Sequence, residues 1–429
     1  MSNLNSRNIL KTFDVQVDDQ WAFSESRSIQ SWTHGYHRYP AKFIPQLVKK
    51  LVENFAQPGY VIADPFAGCG TTLVECKVHG YQSIGVDINP VAGLITKAKI
   101  TPIDPDVLKT QIATILPVLS KKEFYTPDIL PVNDRLDYWF SAETKQQVFK
   151  IYSHILEISS FEVKIFFLTA LSNILKTSSR WLQDSTKPQI DKNKNTTDPL
   201  ALFISQIRMM EKRNADFYKY LSKNGYLDLK CEIMLADARD TGLKDDSIDL
   251  IITSPPYVTS YEYADIHQLT GYWFRYFEDI KPFRKKFIGT FYSNNEVLSV
   301  QSEIGMSIIT SLLEKNKRIA KEVANYFNDM QSVIKEMRRI LKPDSRACIV
   351  IGNNKLRGIN IETAQILGEY LVKEGFEIDK IYKRNITAKQ IPSIRDEISG
   401  RFVKIDHPNS TKVYPNEYII IARKSDADN

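Results

Sequence analysis

A chain of 429 residues with 43% hydrophobic content has enough apolar material for a sizeable core, which excludes a disordered protein and suggests one large domain with an insertion, or two domains. Its 57 Lys and Arg against 51 Asp and Glu leave a net charge of +6, mild enough to permit a polyanionic partner without demanding one. The longest apolar run, residues 165–175, carries Thr169, Ser172 and Asn173 and falls far below a membrane span, and residues 1–20 lack the pattern of a secretory signal, so a cytoplasmic protein without membrane association is expected. Cys69, Cys76, Cys231 and Cys348 have no CxxC spacing and the six histidines form no HExxH pattern, so neither disulfides nor a metal is expected.

In chain order, VIADPF predicts a strand, AGCG a glycine turn, TTLVECKVHG a helix ending at Gly80, and YQSIGVDINP a second strand ending near Asp87. That succession is the first half of a Rossmann-like unit. Residues 101–229 are too long for a structureless connection and show helical periodicity, which predicts a mainly helical insertion whose stretch 184–199 is an exposed loop. Strands follow at CEIMLADARD and SIDLIITSPPY, a helix at 330–341, a strand at RACIVIGNN, a helix at 361–373, and an antiparallel finish in FEIDKIYKRNI and EYIIIARK. The expected class is α/β, a Rossmann-like sheet with helices on both faces. Residues 1–100 form its first half, 101–229 the insertion and 230–429 its second half.

The turn DPFAGCGTT has Gly68 and Gly70, which let backbone approach a ligand closely. It lacks the third spaced glycine of a pyrophosphate loop and the GKT or GKS of a phosphate-binding loop, so a cofactor without phosphates fits better. Asp64 is a candidate acceptor for a cofactor amino group. Asp87, ending the second strand, is placed for two ribose hydroxyls, and Asp237, ending the third, for an adenine amino group.

Ser254, Pro255, Pro256 and Tyr257 follow an apolar strand. Two prolines cannot continue a strand and leave carbonyls unpaired at its carboxyl end, where ligands of open α/β sheets bind. An exocyclic amine on a base is a weak nucleophile because its lone pair is delocalised into the ring. Hydrogen bonds accepted from it by Ser254 Oγ and the Pro255 carbonyl favour the pyramidal nitrogen that attacks. Tyr257 can stack on a base swung out of a duplex, a contact worth roughly 1–3 kcal/mol.

DPFAGCG with Asp87, and TSPPY downstream, resemble the amino-methyltransferases of DNA, the enzymes of N4-cytosine and N6-adenine modification. HGYHRYPAKFIPQLV resembles the family's segment preceding the glycine loop. The resemblance implies that Pro40, Ala41, Lys42 and Phe43, together with Asp64, Pro65, Phe66, Gly68, Gly70, Thr71 and Asp87, bind S-adenosyl-L-methionine, with Phe66 near the sulfonium. It implies that Ser254, Pro255, Pro256 and Tyr257 form the catalytic site. Serine in the first catalytic position resembles the N4-cytosine branch, with N6-adenine the alternative. C5-cytosine enzymes need a Pro-Cys nucleophile, and the sequence has no such pair, so Cys69 is read as a small loop residue. His267 is read as a packing residue.

The expected partner is double-stranded DNA with the target base flipped, in a restriction-modification setting with a cognate endonuclease acting separately, the chain being a monomer or a dimer. Candidate DNA contacts are Arg180 with Trp181 in the insertion, and Lys281, Arg284, Lys285 and Lys286. Two further basic stretches, residues 315–321 and Lys380, Lys383, Arg384 and Lys389, read first as solvated faces. An RNA or protein methyltransferase and a silent binding module are the competing readings.

Overall fold

Val61–Asp64 (β1), Gln82–Asp87 (β2), Cys231–Leu235 (β3), Ile248–Thr253 (β4), Leu341–Gly352 (β5), Phe376–Asn385 (β6) and Asn416–Lys424 (β7) hydrogen-bond into one sheet in the order β3-β2-β1-β4-β5-β7-β6. The first five are parallel, and β7 runs antiparallel to both β5 and β6. The computed structural model describes residues 6–23, 31–121, 133–185, 187–259, 263–290, 292, 297–386, 394–396, 403–404, 406–412 and 416–425. Lys389 of the third basic stretch, and Tyr261 and Glu262 beyond the Pro-Pro turn, lie outside them.

Strand sequence follows from double-sided burial. Leu250, Ile251 and Ile252 of β4 are fully buried as a continuous apolar run, because a parallel strand is covered on both faces. The pleat still sorts them. Ile251 joins the core under Lys317–Ile340 and Thr363–Lys373, whereas Leu250 and Ile252 join the core under the helix Pro45–Phe55. In β7, Ile420 likewise faces the first core, and Ile419 and Ile421 the second. Helices therefore cover both faces of the sheet, as the sequence predicts.

In chain order the helices used below are α1 (Pro45–Phe55), α2 (Thr71–Val78), α3 (Pro90–Ile100), α4 (Pro105–Ser120), α5 (Ala142–Leu156), α6 (Phe161–Ser178), α7 (Pro199–Asn224), α8 (Glu303–Lys315), α9 (Lys317–Ile340) and α10 (Thr363–Lys373). Asn89 caps α3 by accepting from the Val91 amide, with Pro90 opening the first turn. Helix α9 begins well before the expected residue 330. Its early half buries Ala320, Val323, Ala324, Tyr326 and Phe327, where small residues and the buried polar Asn325 interrupt the apolar pattern.

Helices α4 to α7 build the insertion, but it has no core of its own. Its Phe166, Phe167, Leu171 and Phe203 share one cluster with Leu94 and Ala98 of α3 and with Trp273, Phe274 and Phe283, which follow β4. Trp181 lies in that cluster, 1% exposed, with its ring stacked 5.0 Å from Trp139 and its Nε1 donating to the Ser185 carbonyl. It is a core residue and unavailable to nucleic acid, contrary to the sequence expectation. Residues 184–185 and 187–198 form a loop as expected, with Pro199 already opening α7 and Thr186 outside the described residues, though Lys194 turns inward and donates to the Lys176 and Trp181 carbonyls. No helix among the described residues is long and apolar enough to cross a membrane.

Candidate active site

The glycine turn is fixed by bonds that its own sequence does not announce. Gly70 adopts φ +75° at the start of α2, and a Cβ there would stand 2.7 Å from Thr96, so neither a side chain nor its backbone strain is tolerated. The Gly68 carbonyl accepts from Thr96 Oγ1 at 2.9 Å, and the Cys69 carbonyl from the fully buried Lys99 Nζ at 2.8 Å. Both donors come from α3.

Asp87 Oδ2 accepts from the Gly68 amide and Oδ1 from the Asn89 amide, each at 2.8 Å. Every carboxylate oxygen has two acceptor positions, so each keeps one for a ligand while the plane of the group is fixed. A vicinal diol matches that arrangement. Burial pushes the Asp87 carboxyl up to about 6, against the two amides that favour its charged form, and Asp64 adds a further upward push. Next along the sheet, Leu235 at the end of β3 is 62% exposed, an apolar wall that a planar ring would cover. These residues fit the adenosine of S-adenosyl-L-methionine.

Asp64 differs from its sequence reading. It is 2% exposed, and its oxygens already accept from Thr253 Oγ1 at 2.6 Å, Thr72 Oγ1 at 2.7 Å and the Phe66 amide at 3.0 Å. Burial raises it to about 6 despite these donors. Its geometry is that of a pin joining β1, α2 and β4. Asp237 is engaged as well: Arg239 Nε and Nη2 donate to its two oxygens at 2.9 and 2.6 Å, and Arg239 Nη1 reaches Asp329. An adenine amino group would therefore share Asp237 with Arg239.

The Thr253 to Asp64 bond brings the Pro-Pro turn to the glycine turn. Beyond Thr253, Pro255 is buried while Ser254, Pro256 and Tyr257 are half-buried. The Tyr257 hydroxyl donates to Glu417 Oε1 at 2.6 Å. Pro40, Lys42 and Phe43 are half-buried ahead of α1, whereas Ala41 is exposed and takes φ +50°. Lys42 Nζ makes one long bond, 3.4 Å, to the His34 carbonyl, and burial lowers its pKa. Tyr39, just before this segment, lies in van der Waals contact with the Gly68 position and 5.0 Å from the His267 ring. His267 is 5% exposed, its Nδ1 bonded to Asn89 Nδ2 at 2.8 Å, and burial drives it down to about 3. It is a neutral packing residue, as read from the sequence.

Of the candidate DNA contacts, Lys281, Lys285 and Lys286 are exposed. Arg284 departs from expectation, because its Nε donates to Asp265 at 2.8 Å and its charge is spent within the fold. Arg180 is half-exposed, with its backbone tied to Trp139 and Asp191. Sequence reasoning missed Thr72, Thr96, Lys99, Asn89, Tyr39, Thr253 and Glu417. Thr253 and Asn89 adjoin motif residues and were legible as neighbours, whereas Glu417 lies 160 positions beyond Tyr257 and carries no local signal.

Comparison with known proteins agrees with this geometry. The sequence profile described as DNA methylase matches residues 2–97 and 248–428, which leaves out the insertion and β3. The type II methyltransferase M.MvaI of Kocuria varians is 30% identical over 415 residues, covering 88% of this chain and 89% of that protein. The type II methyltransferase M.BsoBI of Geobacillus stearothermophilus is 23% identical over 439 residues, covering 89% and 84%. M.AvaI of Anabaena variabilis, also a type II methyltransferase, is 25% identical over 390 residues, covering 81% and 79%.

Proposed function

Because the chain belongs to the DNA methylase family and takes its methyl group from S-adenosyl-L-methionine, we propose that it methylates the exocyclic N4 amine of cytosine at a specific site in double-stranded DNA. The observation that carries this reading is the 2.6 Å bond from Thr253 to Asp64, which seats a Ser-Pro-Pro-Tyr turn beside a glycine turn shaped for a nucleoside. A restriction endonuclease acting separately on the same site completes the setting, by analogy with the type II relatives.

When bound, the cofactor supplies an electrophilic methyl on a sulfonium. The chain's residues do the rest. Asp87 would hold the ribose hydroxyls through its two remaining acceptor positions, and Pro40, Ala41, Lys42 and Phe43 would line the methionine end of the site. Pro65, Phe66, Gly68, Gly70 and Thr71 form the floor. Ser254 Oγ and the Pro255 carbonyl accept the two amino hydrogens and localise the nitrogen lone pair, and Tyr257 stacks on the flipped base. No covalent enzyme intermediate is needed, so positioning carries much of the rate. Serine rather than Asp or Asn ahead of Pro-Pro-Tyr supports cytosine over adenine. Lys281, Lys285 and Lys286 contribute phosphate contacts.

Incubation with S-adenosylmethionine labelled on the methyl group and separate DNA, RNA and protein pools tests the substrate class. Long-read sequencing with modification calling on DNA from expressing cells then identifies the base. N4-methylcytosine in one sequence context is expected. N6-methyladenine would replace the base assignment, and label only in RNA or protein would reject the reading.

A further inference from the structure

Gly352, Glu417 and Arg384 stand on one rung across three strands: Glu417 of β7 pairs with Gly352 of β5 on one side and Arg384 of β6 on the other. Directly opposed residues of antiparallel strands project to the same face, so the three positions share one surface. That surface carries Tyr257. A Cβ on Gly352 would come within 2.8 Å of Tyr257 Cε2 and 3.3 Å of the Asn416 carbonyl oxygen, so the ring edge occupies the space a side chain would fill. The phenol hydroxyl donates to Glu417 Oε1 at 2.6 Å, and Glu417 Oε2 accepts from Arg384 Nε at 2.7 Å.

Arg384 is 1% exposed and its Nη1 donates to the Trp21 carbonyl at 2.9 Å. Trp21 is itself held by the Tyr382 ring at 4.6 Å and by Lys50 Nζ at 4.3 Å over its face. A guanidinium taken out of water holds its carboxylate partner firmly, since separation leaves a buried charge unpaired. Each oxygen of Glu417 thereby holds one partner, which fixes the plane of the carboxylate. The tyrosine is fixed at three places: its backbone by Pro255 and Pro256, one ring edge by Gly352, and its far end by Glu417.

We propose that Glu417 and Arg384 are positioning residues for methyl transfer, setting through the Tyr257 hydroxyl the plane of the ring on which the target base stacks. The inference rests on the reading of the site given above. It locates a determinant of the reaction in the antiparallel end of the sheet, away from both sequence motifs. A tilted ring presents the base amine off the line of transfer, and small misplacements of that kind cost rate more than binding.

The test uses the full chain, tritium-labelled S-adenosylmethionine and DNA from a host without methylation, with kcat, the KM for DNA, the cofactor Kd by calorimetry and the melting temperature measured for each variant. Tyr257→Phe leaves the Glu417 to Arg384 pair in place, and lowers kcat on the order of tenfold with cofactor Kd unchanged, the melting temperature falling only by the loss of one hydrogen bond. Glu417→Ala lowers kcat at least as far. The double variant falls no further than Glu417→Ala alone, because both changes break one pathway. Should Glu417→Ala fail to fold, Tyr257→Phe and Gly352→Ala carry the test, both with reduced kcat. Unchanged kcat in Tyr257→Phe, or additive losses in the double variant, overturns the proposal. Absence of transfer to DNA by the unaltered chain overturns instead the reading of the site.

Discussion

Thr253 Oγ1 donates to Asp64 Oδ1 at 2.6 Å, so the last residues of two adjacent central strands are bonded to each other at the strand ends. Removing that donor in Thr253→Val leaves a carboxylate, itself 2% exposed, with one fewer partner. The expected loss is about 1–3 kcal/mol of folding stability, the penalty for an unsatisfied buried acceptor. Urea denaturation measures it; an unchanged midpoint would show that the bond does not form.

The acid range separates folding from binding. Asp64 and Asp87 both titrate near 6 in the fold against an ordinary 3.8. The folded chain therefore holds more protons than the unfolded one between about pH 4 and 6, and the contribution of these groups to stability falls as pH rises through that window. Cofactor binding runs the other way. On the proposed role of Asp87 it needs the ionised carboxylate as acceptor, so affinity is expected to rise with pH up to about 6 and then level, with a slope near tenfold per pH unit below it for one proton. Calorimetric titration of S-adenosylmethionine between pH 5 and 8 reads this directly, and a flat profile would dismiss Asp87 as the acceptor.

Gly70→Ala meets two penalties at once. The left-handed backbone costs an L-residue roughly 1–2 kcal/mol, and the new methyl lies 2.7 Å from Thr96, whose hydroxyl holds the Gly68 carbonyl. The variant is expected to be destabilised and to bind cofactor poorly, the second effect exceeding that of Gly59→Ala. Gly59 also has positive φ, but with open space around it.

Truncation at Trp181 and charge reversal at Lys285 and Lys286 should part company. Trp181→Ala removes a ring stacked on Trp139 and is expected to cost about 3–5 kcal/mol of stability, measured by denaturation. Lys285→Glu with Lys286→Glu is expected to leave stability alone, weaken DNA binding and reduce its salt dependence, because the contacts proposed for these exposed side chains are to phosphates. Filter binding across salt concentrations decides, and an unaltered slope would move the DNA elsewhere.

Tyr257→Ala removes the ring proposed to stack on the target base without touching the glycine turn. Methyl transfer is expected to vanish while the cofactor Kd holds. Wild-type turnover on target DNA would strip Tyr257 of its role.

The centre of the sheet was legible because β1 and β4 announce themselves as apolar runs closed by a turn signal, as in Leu250 to Thr253 before the two prolines. The glycine turn and the Pro-Pro turn were legible because a special backbone demands special residues locally. Their supports were not. Thr96 and Lys99 sit inside a helix and look like any solvated positions until the turn carbonyls arrive at them. Arg384 lies in a basic run that reads as surface, yet its partner Glu417 approaches only once β6 and β7 pair. Arg284 misled for the same reason, its charge being matched by Asp265 19 residues earlier.

The shared cluster beneath the insertion governs how such a chain can be recombined. Phe166 and Phe203 on one side and Trp273 and Phe283 on the other are halves of a single apolar interior, although 101–229 and 264–287 are far apart along the polypeptide. A chimaera that takes 101–229 from a relative would lay foreign side chains against native ones and leave voids. Exchange of both segments together carries most of that interior across, with Tyr36 and the α3 residues Leu94 and Ala98 left as the native neighbours that the incoming side chains must fit.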